Sequence, residues 1–179
     1  MFEEIDKRTD LTMVEKAELS KEKYKESYKD YNLYSLIDLV IKKQIKYESN
    51  EKAEDLEFIA IKELIDEKSS EANLVDLNMA INSIGIVIDF NKNEIKDSSK
   101  KLLDDEAFEK LTKSLSNQGL NYSRIFVRYH ENLASQDERI LVEDINRKLR
   151  IKERNTENDL LKEYQIKLQE CANKKRIKL

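Results

Sequence analysis

The stretch "NLVDLNMAINSIGIVIDF", residues 73–90, decides the fold class, because it fits both a helix and a strand. From Leu74 to Ile88, apolar residues recur at alternating steps of three and four, which is the spacing of one face of a helix. From Ile84 to Phe90, apolar residues also occupy every second position, as in a strand. A single strand would have no partner elsewhere in the chain, so the pattern predicts a helix.

The composition of the whole chain supports a fold without sheets. The 179 residues include two glycines and no proline, although these two residue types provide most of the tight turns between strands. Charged residues make up 39% of the chain, and the mean hydropathy is −0.75. Lysine, glutamate, leucine and isoleucine dominate, as in long helices and coiled coils. We therefore predict an all-α protein that forms a helical bundle.

A break separates an N-terminal helical arm from the helices that follow. Thr12 and Glu15 have the spacing of a capping box, which predicts that a helix begins here. Near residues 30–32 the apolar positions move to nearly the opposite side of a straight helix, so a kink or break there would let both sides face a core. We therefore predict a protruding arm over residues 1–31 and a helical core over residues 33–135.

A long helix is predicted for the C-terminal residues, 136–179. Ser135 and Glu138 form a second capping box, which marks its start. The segment "RNTEN", residues 154–158, contains the asparagine and threonine typical of turns, so a helix that folds back there is the alternative. An unbroken helix would be about 60 Å long, whereas a compact chain of this size has a radius of gyration of about 16 Å. We expect a single coiled-coil-like helix that protrudes from the bundle.

Three tyrosines lie on one side of the predicted arm. Tyr24, Tyr28 and Tyr31 are spaced by four and three residues. Tyrosine combines a flat apolar ring with a polar group and is enriched at protein interfaces. We assign the three residues to a protein interface; the alternative is that they cover the arm's own contact with the core.

The C-terminal helix carries a narrow apolar row. Leu161, Tyr164, Leu168 and Cys171, here called the C-terminal row, are separated by three, four and three residues, as in a coiled coil. We expect that this row extends beyond the chain's own core and packs on a second copy or on a partner protein. Cys171 is then a small packed side chain, and a reactive thiol is the alternative.

Positive charge is concentrated toward the C-terminus. Residues 1–110 contain 27 acidic and 18 basic residues, whereas residues 111–179 contain 10 and 15. The stretch "RKLRIKER", residues 147–154, has five basic residues in eight positions, but glutamates lie three or four residues from its arginines, which is the spacing of intrahelical ion pairs. No acidic residue follows Glu170, so the last basic residues are the better candidates to bind a nucleic acid. They are Lys174, Lys175, Arg176 and Lys178.

The chain has no motif typical of a catalytic site. It contains no glycine-rich phosphate loop, no H-E-x-x-H and no G-x-S-x-G. His130 is the only histidine, and we expect it at the surface, at the end of a short helix. Four carboxylates, Asp104, Asp105, Glu106 and Glu109, lack the spacing of a calcium-binding loop and are favourable at a helix start without any metal. We predict no enzyme activity, no cofactor and no metal site.

The sequence favours a protein–protein function inside the cell. We find neither an apolar run long enough to cross a membrane nor the apolar part of a signal peptide, and a single cysteine fits a reducing compartment. We predict a cytoplasmic, non-enzymatic helical protein that acts in protein–protein association or assembly, as a scaffold, adaptor or structural component. Its partner is another protein or a second copy of the chain. The alternative is a nucleic-acid-associated regulator that uses the basic C-terminal residues.

Overall fold

A computed structural model describes the backbone of residues 2–50 and 55–178 and the side chains of residues 2–47 and 55–177. Within these residues the chain forms helices and no strands, which confirms the predicted all-α class. The helices are α1 (Phe2–Asp6), α2 (Met13–Tyr28), α3 (Leu33–Asn50), α4 (Leu56–Glu71), α5 (Leu74–Lys100), α6 (Asp105–Asn117), α7 (Tyr122–His130) and α8 (Gln136–Lys178).

The stretch that decided the fold class is helical, as predicted. α5 begins at Leu74, and Asn73 caps its first turn by accepting a hydrogen bond from the backbone N–H of Asp76 at 2.8 Å. Ile84 is completely buried, whereas Ile86 is exposed. The alternation of isoleucines therefore reflects the inward and outward sides of a helix.

The chain divides into two compact units. Unit 1 contains the described residues up to Ile88 and from Glu157 onward, and unit 2 contains Asp89–Thr156. The sequence predicted different boundaries, at helix ends near residues 32 and 135. The two divisions differ because α5 and α8 are long enough for each helix to contribute residues to both units.

The core of unit 1 is formed by α3, α4, the first half of α5 and the second half of α8. Its almost completely buried side chains include Leu36, Ile37, Phe58, Ile61, Leu77, Ile84, Leu161 and Leu168. Burial of one such side chain contributes about 1.5–3 kcal/mol. The burial of this cluster therefore stabilises unit 1.

α5 and α8 run antiparallel within unit 1. The side-chain amide of Asn158 donates a hydrogen bond to the backbone carbonyl of Ile88, and that of Gln165 donates to the carbonyl of Ile81, both at 3.3 Å. As the chain advances along α8, its partners on α5 lie earlier in the sequence. The first half of α5 and the second half of α8 are therefore neighbouring antiparallel helices in unit 1.

The C-terminal row is buried in the core of unit 1, which corrects the expectation that it packs on another molecule. Leu161, Leu168 and Tyr164 are 2%, 1% and 9% exposed. Cys171 is partly buried against the same core. An average domain is too short to cover a helix as long as α8, but within unit 1 the first half of α5 lies beside the second half of α8 and helps to cover this row.

α8 is one continuous helix, as predicted. Its start carries the predicted capping box: the backbone N–H of Ser135 donates to the carboxylate of Glu138 at 2.6 Å, and the N–H of Glu138 donates to the Ser135 hydroxyl at 3.3 Å. Within "RNTEN", the hydroxyl of Thr156 donates to the carbonyl of Lys152 at 3.0 Å. The threonine therefore satisfies its hydrogen bond inside the helix and does not start a turn.

The predicted break between the arm and the core is confirmed, since α2 ends at Tyr28 and α3 begins at Leu33. α2 does not protrude, however, because it packs along α4. The carboxylate of Glu63 in α4 lies 3.0 Å from the ammonium of Lys21 and 2.9 Å from that of Lys25. These contacts join residues that are far apart in the sequence, so local patterns in the arm did not reveal them.

Unit 2 has a core of its own, built mainly from α6, α7 and the first half of α8. Two carboxylates of α8 are buried beside it. Glu138 pairs with Arg128 at 3.0 Å, and Asp144 accepts a hydrogen bond from the backbone N–H of Leu103 at 2.8 Å. The most buried apolar residues of this core are Leu115, Ile125, Leu141 and Val142.

Candidate docking site on unit 1

A row of exposed apolar side chains runs along the outer side of α5. Val75, Met79 and Ile86 are 66%, 63% and 70% exposed, and we call them the α5 outer row. At 100° per residue the three fall within about 40° of one another around the helix and span about 16 Å along it. Leu77 and Ile84 lie on the opposite side and are completely buried.

α5 is therefore apolar on two sides. By length and composition alone it is apolar enough to cross a membrane: an 18-residue window has a mean hydropathy of 1.2, and 28% of that window is buried. The sequence expectation that no such run exists is corrected by this helix. Core helices of folded domains meet the same criterion, but they are mostly buried. The small buried share is what distinguishes α5 from an ordinary core helix.

A cleft of about 420 Å³ opens beside the α5 outer row. Its walls come from the turn between α2 and α3, the end of α4 and the first half of α5. Its volume falls in the range of roughly 300–1,000 Å³ that is typical of ligand clefts. The lining residues are Tyr31, Asn32, Leu33, Tyr34, Lys68, Glu71, Ala72, Asp76, Met79, Ala80 and Ser83. Met79 thus belongs to both the outer row and the cleft.

Two tyrosines, Tyr31 and Tyr34, form the aromatic part of the cleft. The ring of Tyr31 meets that of Tyr28 edge-on, with 5.2 Å between the ring centroids. The hydroxyl of Tyr28 donates to the carboxylate of Glu57, and this hydrogen bond, together with burial, raises the pKa of Tyr28 to about 12. Burial also raises the pKa of Tyr34. Tyr28 and Tyr34 therefore remain neutral at physiological pH.

Lys68 is the only basic residue in the cleft lining, and its ammonium group is already bound. It donates hydrogen bonds to the backbone carbonyls of Lys29 and Tyr31, the latter at 2.6 Å. These carbonyls lie just beyond the last turn of α2, where the helix no longer provides donors for them. Lys68 therefore holds the turn that carries Tyr31.

Glu71 and Asp76 give the cleft lining an excess of negative charge. Both residues are exposed, and neither forms an ion pair with a described residue. Asp76 also lies in the first turn of α5, where a negative charge is favourable. The other carboxylates of α4 each lie within 3.5 Å of a lysine ammonium group; they are Glu57, Glu63, Asp66 and Glu67. The cleft therefore contains the one carboxylate of α4 that is left without a counter-charge among the described residues.

Of the three tyrosines assigned to an interface, only Tyr31 lines the cleft. Tyr24 is partly buried and stacks on Phe2 of α1, with 4.5 Å between the ring centroids. Tyr28 is partly buried and bonded to Glu57. Tyr28 therefore joins α2 to α4 and packs against the core, which was the alternative interpretation, whereas Tyr24 joins α2 to α1 within the predicted arm.

The C-terminal row does not contribute to the cleft. Leu161, Tyr164 and Leu168 are enclosed in the core of unit 1, and burial raises the pKa of Tyr164 to about 12. Cys171 packs against this core. These four side chains are therefore structural residues of unit 1.

The basic C-terminal residues are partly engaged with their own unit. Lys175 donates to a backbone carbonyl of α4 at 3.0 Å, and Arg176 donates to an asparagine side chain of α5 at 3.4 Å. Lys174 is exposed. The side chain of Lys178 lies outside the described residues.

Two of the three arginines of "RKLRIKER" lie beside carboxylates of unit 2, whereas Arg150 is exposed and forms no ion pair with a described residue. Arg147 is 3.9 Å from Glu143, one turn earlier in α8, as the spacing predicted. Arg154 donates to Glu94 of α5 at 2.8 Å. This second contact joins residues 60 positions apart, so the sequence pattern could not show it.

The remaining chemical groups do not converge on a site. His130 is exposed at the end of α7, where it was expected. Asp104 caps α6 by accepting a hydrogen bond from the backbone N–H of Ala107 at 2.7 Å, which accounts for part of the acidic cluster there. Among the described residues, no group of three or more His, Cys, Asp or Glu is placed to hold a metal ion.

Sequence reasoning missed the α5 outer row, although the signal is present. Val75, Met79 and Ile86 are separated by four and seven residues, a helical spacing, within the same stretch whose inward side was recognised. The sequence does not reveal which of two apolar sides is covered by the rest of the chain. Comparison of the chain with protein-family models, curated proteins and solved structures found no match.

Proposed function

We propose that this protein binds another protein through the α5 outer row and the adjoining cleft, as a non-enzymatic adaptor, scaffold or structural component. The observation that carries the proposal is the exposure of Val75, Met79 and Ile86, each at least 63%, on a helix whose other side is buried. An apolar side of a helix is normally covered, either by the rest of the chain or by a partner. A partner protein would cover the side that the chain itself leaves exposed.

The outer row offers enough apolar surface for association. Complete burial of an apolar side chain of this size contributes about 1.5–3 kcal/mol, and the three side chains are largely free to contribute it. Part of this gain offsets the lost freedom of the two molecules. Helix-in-groove recognition uses anchors at such helical spacings, so a complementary groove or helix is the expected shape of the partner surface.

A second candidate function, regulation through nucleic-acid binding, has weaker support. Lys175 and Arg176 donate to groups of their own unit, and Arg147 and Arg154 lie beside carboxylates. The carboxylates offset the charge of Arg147 and Arg154, whereas Lys175 and Arg176 keep their charge but are held by hydrogen bonds to neutral groups, so all four are less available to phosphates. The exposed apolar row also has no role in this alternative.

The proposal is tested with a Val75→Ser/Ile86→Ser double variant. The matched control is Val127→Ser/Leu133→Ser, which changes two exposed apolar residues of unit 2. Circular dichroism establishes that both variants remain helical. We expect the outer-row variant to lose self-association in sedimentation velocity, or to lose partners that a tagged wild-type chain recovers from its native cell, while the control behaves as wild type. Equal behaviour of the two double variants would contradict the proposal.

A further inference from the structure

We propose that the cleft beside the α5 outer row receives a lysine or arginine side chain from a basic amphipathic helix of a partner protein. This inference rests on the proposed function and adds the chemistry of the partner. It rests on two neighbouring features of unit 1. One is the exposed apolar row, and the other is the cleft with aromatic walls and unpaired carboxylates.

The walls of the cleft match the two parts of a long basic side chain. Tyr31, Tyr34 and Met79 provide aromatic and apolar surface, against which an aliphatic stem packs. Tyrosine rings also attract a cation that lies over their faces. Glu71 and Asp76 supply the negative charge that a guanidinium or ammonium group requires.

The charge of the cleft is available to a ligand. Glu71 and Asp76 have no ion-pair partner among the described residues. The one basic lining residue, Lys68, is held by the neutral carbonyls of Lys29 and Tyr31, so it keeps its positive charge and the lining as a whole has a net charge of −1. An incoming cation would therefore meet two carboxylates without displacing an existing ion pair.

A helix fits this arrangement better than a small cation does. Met79 lies in both the outer row and the cleft, so a partner that covers the row also reaches the cleft mouth. On an amphipathic helix, basic residues flank the apolar stripe and lie within one turn of it. An apolar stripe on Val75 and Ile86 would thus bring a flanking lysine or arginine to Glu71 and Asp76.

The negative cleft argues against two other kinds of partner. A nucleic acid presents phosphates, and an anionic membrane presents acidic headgroups, and both would be repelled by the unpaired carboxylates. The exposed apolar row alone would allow contact with a membrane. The unpaired carboxylates therefore favour a basic protein helix over an anionic membrane.

The experiment uses two labelled 18-residue helical peptides that share one leucine stripe. One peptide carries lysine at every polar position, and the other carries glutamate. Fluorescence anisotropy with the full chain should show binding of the lysine peptide only. Glu71→Gln/Asp76→Asn should weaken that binding at least tenfold. Glu109→Gln/Glu153→Gln removes two exposed carboxylates of unit 2, so it has the same net charge and should change the affinity less than twofold.

A second readout locates the peptide on the chain. The protein has three methionines, so labelling their methyl groups with ¹³C gives three signals, and Met79→Leu assigns the signal from the cleft. We expect the lysine peptide to shift the Met79 signal and to leave that of Met13, at the exposed start of α2, unchanged. A shift of Met13 without a shift of Met79 would overturn the proposed location.

The remaining outcomes separate this inference from the proposed function. Loss of peptide binding in Val75→Ser/Ile86→Ser, together with full binding in Glu71→Gln/Asp76→Asn, would overturn the basic-partner inference and leave the docking row intact. The inference would also be overturned if the two peptides bound equally well, or if neither peptide bound. Binding to vesicles of phosphatidylcholine and phosphatidylglycerol that exceeds binding of the lysine peptide would favour a membrane and overturn it as well.

Discussion

The side-chain amide of Gln165 in α8 donates a hydrogen bond to the backbone carbonyl of Ile81 in α5, at 3.3 Å. Gly85 lies one turn further along α5, and a Cβ added there would lie 3.5 Å from the same amide nitrogen, an ordinary van der Waals distance. The contact between α5 and α8 at this point is therefore made by a flexible side chain, and it leaves room for a methyl group.

We expect Gly85→Ala to raise the free energy of unfolding by about 0.5–1 kcal/mol, because glycine in a helix interior is less favourable than alanine by that amount. Urea unfolding followed by circular dichroism measures the change. Gly119 is the contrasting position, since its φ of 78° is left-handed and follows the end of α6. Gly119→Ala should lower stability by about 1 kcal/mol. A loss of stability in Gly85→Ala would show that α5 and α8 approach more closely than this geometry allows.

We expect Leu168→Ala to lower the free energy of unfolding by about 2–5 kcal/mol, because the residue is 1% exposed in the core of unit 1. Ile166→Ala, on the exposed side of the same helix, should change it by less than about 0.5 kcal/mol. The measurement is chemical unfolding at two protein concentrations. If the decrease in the free energy of unfolding caused by Leu168→Ala became larger at the lower protein concentration, Leu168 would instead stabilise an oligomer.

The ion pairs between α2 and α4 should make stability depend on pH in the acidic range. The ammonium groups of Lys25 and Lys21 hold the pKa of Glu63 below its ordinary value of 4.5. A carboxylate with a lowered pKa stabilises the fold above its unfolded pKa, and this contribution is lost as the pH falls through the lowered value. Glu63 is partly exposed, so we expect only about 0.2–1 kcal/mol.

Thermal or urea unfolding of wild type and Glu63→Gln from pH 7 to pH 2 measures this effect. The difference between the two proteins should be constant above about pH 5 and should disappear at the acidic end. A difference that persists at pH 2 would mean that the substitution acts through packing rather than through the ion pairs.

We expect no binding of generic single- or double-stranded DNA or RNA at about 0.15 M salt, because most basic side chains of the C-terminal region already lie beside acceptors. Anisotropy with labelled oligonucleotides measures it over a range of salt concentrations. Binding that weakens steeply with salt, and that is removed by neutralising Lys174, Lys175, Arg176 and Lys178 together, would support the alternative function.

Local signals in the sequence predicted the helix ends well. Thr12 accepts the hydrogen bond of its predicted cap at 3.1 Å, and Ser135 and Glu138 exchange the predicted pair of hydrogen bonds. Such caps depend on residues three positions apart, so the chain encodes them locally. The shift of the apolar positions near residues 30–32, which is also a local signal, identified the break before Leu33.

Long-range neighbours could not be predicted in the same way. The C-terminal row and the α5 outer row have similar helical spacings, yet Leu161 is buried and Ile86 is exposed. The difference depends on which helix lies alongside, which periodicity does not encode. The same limit applies to charges: local spacing explains the contact between Arg147 and Glu143, whereas the Arg154–Glu94 contact depends on the tertiary fold.

The two apolar sides of α5 place different requirements on neighbouring residues of one helix. In a saturation-mutagenesis scan of residues 74–88, cellular abundance should fall most at Leu77 and Ile84, where side chains fill the core. Association should fall most at Val75 and Ile86, with abundance little changed. Both profiles should repeat with the 3.6-residue period of a helix, and they should be out of step by about half a turn. Along this single segment, the positions at which substitution lowers abundance would then alternate with those at which substitution lowers association.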